Sequence, residues 1–154
     1  QSCGKASNIC QKMVCRAGAC ETVDNSTTTN AAVAAGELSM ADCPNRVPRE
    51  GFIPTTNGCG SEGAEIPDIV EGVSFKEACD YHDRCYGTCN ADSRLACDVS
   101  FGSRLIGSCL SALLHVDRLN ACIFAAGTYT TAVQLKGEEY YNKGQIESCD
   151  RCCP

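Results

Sequence analysis

Fifteen cysteines in 154 residues constrain this chain more than any other feature. At about one residue in ten, that density belongs to disulfide scaffolds, where covalent links supplement a core too small to hold the chain alone. It also implies a secreted or otherwise oxidising setting, because cytosolic thiols are kept reduced. An odd number leaves one thiol free, capped by a small molecule or paired with another chain. The chain opens at Gln1 with neither an initiator methionine nor an apolar leader, which reads as a mature form after removal of a signal peptide.

The length suits one compact domain with an attached cysteine-rich segment. Cys3, Cys10, Cys15 and Cys20 form a first group that two local disulfides or one zinc ion would accommodate. The polar and small-residue stretch from Asp24 to Asp42 then reads as a mobile linker, with a glycosylation sequon at Asn25-Ser26-Thr27. The expected division is therefore residues 1–43 as a cysteine-rich segment with linker, and 44–154 as the main domain. No run approaches the ~20 apolar residues needed to span a bilayer. The longest candidate, Leu110 to Ala126, is interrupted by His115, Asp117, Arg118 and Asn120. A net charge of -6 with scattered Lys and Arg excludes the basic stripe that nucleic-acid binding needs.

Pro44 to Gly63 is rich in proline and glycine and reads as loop. Ser74-Phe75-Lys76-Glu77 has the form of a capping box, which starts a helix carrying Phe75, Cys79, His82 and Tyr86 and weakening at Gly87 and Asn90. Asp92 or Ser93 can cap a second helix, with Cys97, Phe101, Leu105 and Cys109 down one side and Asp98 on the adjoining row. A third helix is expected from Ser111 to about Ala126, and a turn or loop from Gly137 to Gly144. Cys149, Cys152 and Cys153 staple the end. Strand signals are scarce, and no sheet is required.

The densest chemistry lies in Cys79-Asp80-Tyr81-His82-Asp83-Arg84-Cys85-Tyr86. On a helix, Cys79 and Tyr86 share the face of His82, while Asp83 is turned about a quarter of the way round. One element can thus aim an imidazole into a cleft and offer a carboxylate to a cation beside it. Gly58, Gly60 and Gly63 permit a backbone that turns successive carbonyls around such an ion. Cys79-x-x-His82-x-x-Cys85-x-x-x-Cys89 also has zinc-ligand spacing, although that reading leaves Asp83 and the glycine loop unexplained. A serine hydrolase is disfavoured, because Cys59-Gly60-Ser61-Glu62-Gly63 lacks the first glycine of G-x-S-x-G.

C-x-x-H-D-x-C-Y at Cys79 to Tyr86 resembles the active-site helix of secreted phospholipases A2. Asn57-Gly58-Cys59-Gly60-Ser61 and Asp83-Arg84-Cys85-Tyr86-x-Thr88-Cys89 look most like the group-twelve branch. The resemblance covers roughly Asn57 to Cys109. It implies a mainly α, disulfide-rich fold with two antiparallel active-site helices, a calcium-binding loop and a further helix. It further implies His82 as general base, Asp98 accepting the Nδ1–H of His82, a hydrogen bond from Tyr86 to Asp98, and Cys59–Cys79 and Cys85–Cys97 disulfides. Ca²⁺ would be held by Asp83 with carbonyls of Gly58, Gly60 and Gly63. The implied activity is calcium-dependent hydrolysis of the sn-2 ester of glycerophospholipids by a secreted enzyme working on a membrane surface or on dispersed phospholipid. The alternative is a catalytically weak or inactive relative that binds lipid, a receptor or a disulfide-linked partner. Two family cysteines are replaced together, by Ala78 and Arg104, as the loss of one disulfide requires.

Overall fold

The computed structural model describes residues 11–16, 19–24, 45–61 and 64–153. Most of these residues lie in three helices: α1 (Lys76–Gly87), α2 (Arg94–Cys109) and α3 (Val116–Ser148). The rest of the regular structure is four two-stranded antiparallel ladders. β1 (Gln11–Arg16) pairs β2 (Ala19–Asp24), and β3 (Asn45–Pro48) pairs β8 (Cys149–Cys153). β4 (Gly60–Ser61) pairs β5 (Ala64–Glu65), and β6 (Ile69–Val70) pairs β7 (Val73–Ser74). The chain is thus mainly helical and disulfide-rich, as its sequence implies. The β3–β8 ladder corrects the expectation of continuous loop after Pro44, because the chain end returns to supply the partner that a local reading cannot see.

α1 buries Ala78, Cys79, His82, Cys85 and Tyr86, a single stripe at three- and four-residue offsets. Glu77 in its first turn and Arg84 in its last complement the helix dipole. The capping box does not form. Phe75 occupies the N-cap, and the Ser74 hydroxyl instead accepts from the Lys76 amide at 3.4 Å, because Ser74 is already committed to β7. α2 begins as expected, with the Ser93 side chain accepting from Ala96 N at 3.3 Å. Its Cys97, Phe101, Leu105 and Cys109 are all buried, and Asp98 is buried beside them.

Four disulfides tie the helices to one another and to the glycine loop. Cys59–Cys79 joins the glycine loop to α1, Cys85–Cys97 joins α1 to α2, Cys109–Cys122 joins α2 to α3, and Cys89–Cys149 joins the end of α1 to the end of α3. Both pairs implied by the resemblance form. Cys15 faces Cys20 in the β1–β2 register, and Cys20 is disulfide-bonded, which removes it from any zinc cluster. Cys3, Cys10 and the linker expected between β2 and β3 lie outside the described residues.

Loop closure makes Cys89–Cys149 the most stabilising of the four, since it spans 60 residues against 12 for Cys85–Cys97. Replacing both Cys89 and Cys149 with alanine is expected to cost about 4 kcal/mol, against about 3 for the shorter loop, in denaturant titrations.

Two expectations about the C-terminal third are corrected. The third helix does not start at Ser111. A 3₁₀ turn at Leu110–Ala112 and three further residues reverse the chain between Cys109 and Cys122, leaving Leu113 and Leu114 exposed. Nor is there a loop from Gly137 to Gly144, because α3 runs unbroken for 33 residues. Both glycines lie where α3 crosses α1. A Cβ on Gly144 would sit 2.6 Å from the Tyr86 carbonyl oxygen, and one on Gly137 would overlap the Tyr86 hydroxyl. They permit close approach of two helices; they do not break one.

The same crossing explains Gln145, a polar side chain with no exposed surface. Its Nε2 donates to Tyr86 O at 2.8 Å and Thr88 O at 3.2 Å, capping carbonyls at the end of α1. Its Oε1 accepts from Arg46 at 2.9 Å, which locks β3 to both helices.

Candidate active site

The antiparallel packing of α1 on α2 brings His82, Tyr86 and Asp98 into one buried cluster. Asp98 Oδ1 accepts from Tyr86 OH at 2.5 Å and lies 3.0 Å from His82 Nε2. Arg94 reaches the other carboxylate oxygen at a longer 3.5 Å and also donates to Gln134 O on α3. The His82 ring packs against Tyr86 and Phe101, with centroids at 4.0 and 4.6 Å. Burial thus fixes the imidazole plane, and the carboxylate fixes its rotation.

The ring nitrogen facing Asp98 is Nε2, which corrects the expected Nδ1 contact. Packing of α1 on α2 brings the two residues together, and which nitrogen meets the carboxylate depends on the histidine rotamer, which helical spacing does not specify. With Nε2–H donating to Asp98, the lone pair is on Nδ1, which has no hydrogen-bond partner among the described residues. A neutral imidazole held this way can accept a proton at Nδ1.

Burial lowers the pKa of His82 from the ordinary histidine value, with the Asp98 hydrogen bond and charge opposing it. The neutral base therefore prevails at physiological pH. Tyr86 is shifted in the opposite sense. Burial and the neighbouring Asp98 charge push its hydroxyl far above the usual tyrosine value, so it remains a hydrogen-bond donor throughout.

Asp83 is half-buried and turns toward the glycine loop, where its Oδ2 accepts from Asn57 N at 3.1 Å. Two further aspartates act alongside it. Asp80 accepts from Gly58 N at 3.1 Å, and Asp68 accepts from Cys59 N at 2.7 Å. Three successive loop amides are thus each anchored on a different carboxylate, and the Cys59–Cys79 disulfide adds a covalent tie. Gly58 is required here, with φ at +81° and Asp68 Oδ1 only 2.6 Å from where a Cβ would stand. Gly60 also has positive φ, at 118°, while Gly63 lies outside the described residues.

Asp80 and Asp68 have structural roles that sequence reasoning missed. Asp80 precedes Asp83 by three residues and so faces the same way on α1, a spacing that could have found it. Asp68 carries no local signal, because its partner is brought to it by the turn of the loop. Lys76 bonds Asp80 at 2.7 Å, which lowers the pKa of that carboxyl and raises that of the lysine.

The donor set suits a hard cation. Burial pushes the Asp83 carboxyl up to about 6, and the single Asn57 amide offsets this only in part, so the charged form lacks compensation. A divalent cation would supply it. Among the described residues no three His, Cys, Asp or Glu side chains converge as a metal site, so other ligands to an ion at Asp83 would be backbone carbonyls or water. The alternative zinc cluster is excluded, since Cys79, Cys85 and Cys89 are each in a disulfide. Of the two positions where the resemblance leads one to expect cysteine, Ala78 is in the core. Arg104 stacks 3.7 Å over the Tyr81 ring, a non-covalent tie between α1 and α2.

The chain is 36% identical over 66 residues to group XIIA secretory phospholipase A2 of Mus musculus. The match takes in 42% of this chain and 34% of the relative, so the chain covers about a third of that protein's length. No protein-family model matches the sequence, and no solved structure matches it. This partial likeness supports a phospholipase A2-like family relationship.

Proposed function

We propose that this chain is a secreted, calcium-dependent phospholipase A2 that hydrolyses the sn-2 ester of glycerophospholipids to fatty acid and lysophospholipid. The observation that carries the reading is His82, with one nitrogen bound by Asp98 and the other left to accept a proton, one residue from a carboxylate that burial leaves short of positive charge. Disulfides across the described residues and the absence among them of a helix long and apolar enough to cross a membrane fit an extracellular protein that meets phospholipid from the surface.

His82 Nδ1 would take a proton from a water molecule as that water attacks the ester carbonyl. Asp98 orients the imidazole and stabilises the imidazolium that forms, and the Tyr86 hydroxyl keeps the carboxylate in place. Asp83 and carbonyls of the loop bearing Gly58, Gly60 and Gly63 would hold Ca²⁺, which when bound supplies a Lewis acid for the substrate carbonyl and a counter-charge for its phosphate. Anchoring of the loop amides on three aspartates preorganises that half of the site.

The test is release of labelled fatty acid from dispersed phospholipid carrying distinct labels at sn-1 and sn-2. Release should come from sn-2, should require calcium and should stop on addition of a chelator. Only the neutral imidazole accepts a proton, so turnover should fall as pH drops through the lowered pKa of His82, giving an acid limb below the ordinary histidine range. Equal release from both positions, or release indifferent to chelation, would contradict this function.

A further inference from the structure

We infer that Gly137, on α3 and 55 positions from His82 in sequence, is a positioning residue that seats the Tyr86 hydroxyl on Asp98; its catalytic meaning rests on the phospholipase reading above. Tyr86 lies between the His82 ring at 4.0 Å and the Tyr141 ring at 5.2 Å, with its hydroxyl 2.5 Å from Asp98. The hydroxyl end of that slot is closed by Gly137, whose lack of a side chain leaves room for the hydroxyl oxygen. A Cβ there would overlap the hydroxyl oxygen and lie 3.3 Å from Cζ and 3.5 Å from Cε2.

The ring cannot swing aside cheaply. Tyr86 is buried, and Gln145 holds its backbone carbonyl at 2.8 Å. Tyr141 is itself held by a bond from its hydroxyl to Asp92 O at 2.7 Å. A methyl group at Gly137 therefore cannot coexist with the hydroxyl where it now sits, and the phenol must leave the position from which it donates to Asp98. Freed from that bond, the carboxylate can rotate, and the imidazole it holds loses its fixed orientation. Remove the hydroxyl and the nearest atom to the new Cβ becomes Cζ, at a distance that a shift of a few tenths of an ångström relieves.

The experiment is a cycle of Gly137→Ala, Tyr86→Phe and the double variant, with Gly127→Ala as control. Gly127 is on the same helix, is exposed and has nothing within 4 Å of its Cβ position. Alanine normally favours a helix interior over glycine. Gly127→Ala should therefore keep or raise Tm and leave the rate unchanged. Gly137→Ala should lower Tm by on the order of 5 °C. It should also lower kcat on the order of tenfold, about as much as Tyr86→Phe does, with KM nearly constant. In the Tyr86→Phe background the same substitution should leave Tm unchanged or raised and should cost less than about twofold in kcat.

Multiplicative losses in the double variant, equal falls of Tm in both backgrounds, or full activity of either single variant would overturn the inference. Should Gly137→Ala fail to fold, recovery of folding in the Tyr86→Phe background is the same supporting result, and failure there too overturns it. A wild-type protein that releases no fatty acid but keeps this pattern of Tm refutes the hydrolase reading and leaves the Gly137–Tyr86–Asp98 contact intact.

Discussion

Replacing His82 with glutamine is expected to lower calcium-supported fatty-acid release by on the order of a thousandfold while the protein stays folded. Glutamine approximates the reach of imidazole and can donate to Asp98, so the buried carboxylate keeps a partner. It cannot accept a proton from water. The loss should therefore appear in kcat, with circular dichroism and Tm close to wild type and calcium binding retained. A His82→Gln protein as active as wild type would remove the imidazole from the mechanism, whatever the fold. His115 offers an internal control. It is an exposed residue at the N-cap of α3, and His115→Gln should leave turnover unchanged.

The second large effect concerns Asp83. Calcium added to the wild-type protein should raise Tm, because an ion bound only by the folded state stabilises it. Asp83→Asn should weaken that binding by on the order of a hundredfold, abolish the calcium-dependent rise in Tm at matched concentration, and remove activity with it. Without calcium the variant should be no less stable than wild type. Burial already penalises the Asp83 charge, and the neutral amide removes the penalty while its oxygen can still accept from Asn57 N. An undiminished calcium shift in Asp83→Asn would place the ion elsewhere. Loss of metal-free stability would instead give the residue a structural role in holding the loop.

These two residues are adjacent in the chain, and their placement on one short helix was legible from spacing alone. The apolar and cysteine offsets of α1 and α2 describe how each buries one face, and the Ser93 cap of α2 follows from local chemistry. α3 was not legible past its first turns. Its buried stripe is Cys122, Ala126, Gly137, Tyr141, Gln145 and Ser148, which contains almost none of the aliphatic side chains that mark a buried helical face. Gly137 there serves close approach to α1, and glycine reads as a helix breaker until the neighbouring helix is in view.

Residue identity and spacing alone determined the cysteine-rich, mainly helical character of the chain and the His82–Asp83 pair on one helix, whereas the two cysteine links around that pair were implied by the resemblance. The former are properties of neighbours within a few turns, where side-chain direction follows from helical geometry. Only the tertiary structure decided that Nε2 rather than Nδ1 meets Asp98, that Asp68 and Asp80 hold the loop amides, and that Gly137 backs the Tyr86 hydroxyl. Each of those depends on a contact between segments distant in sequence, or on a ring rotation fixed by such contacts. Packing selects them, and no local periodicity encodes them.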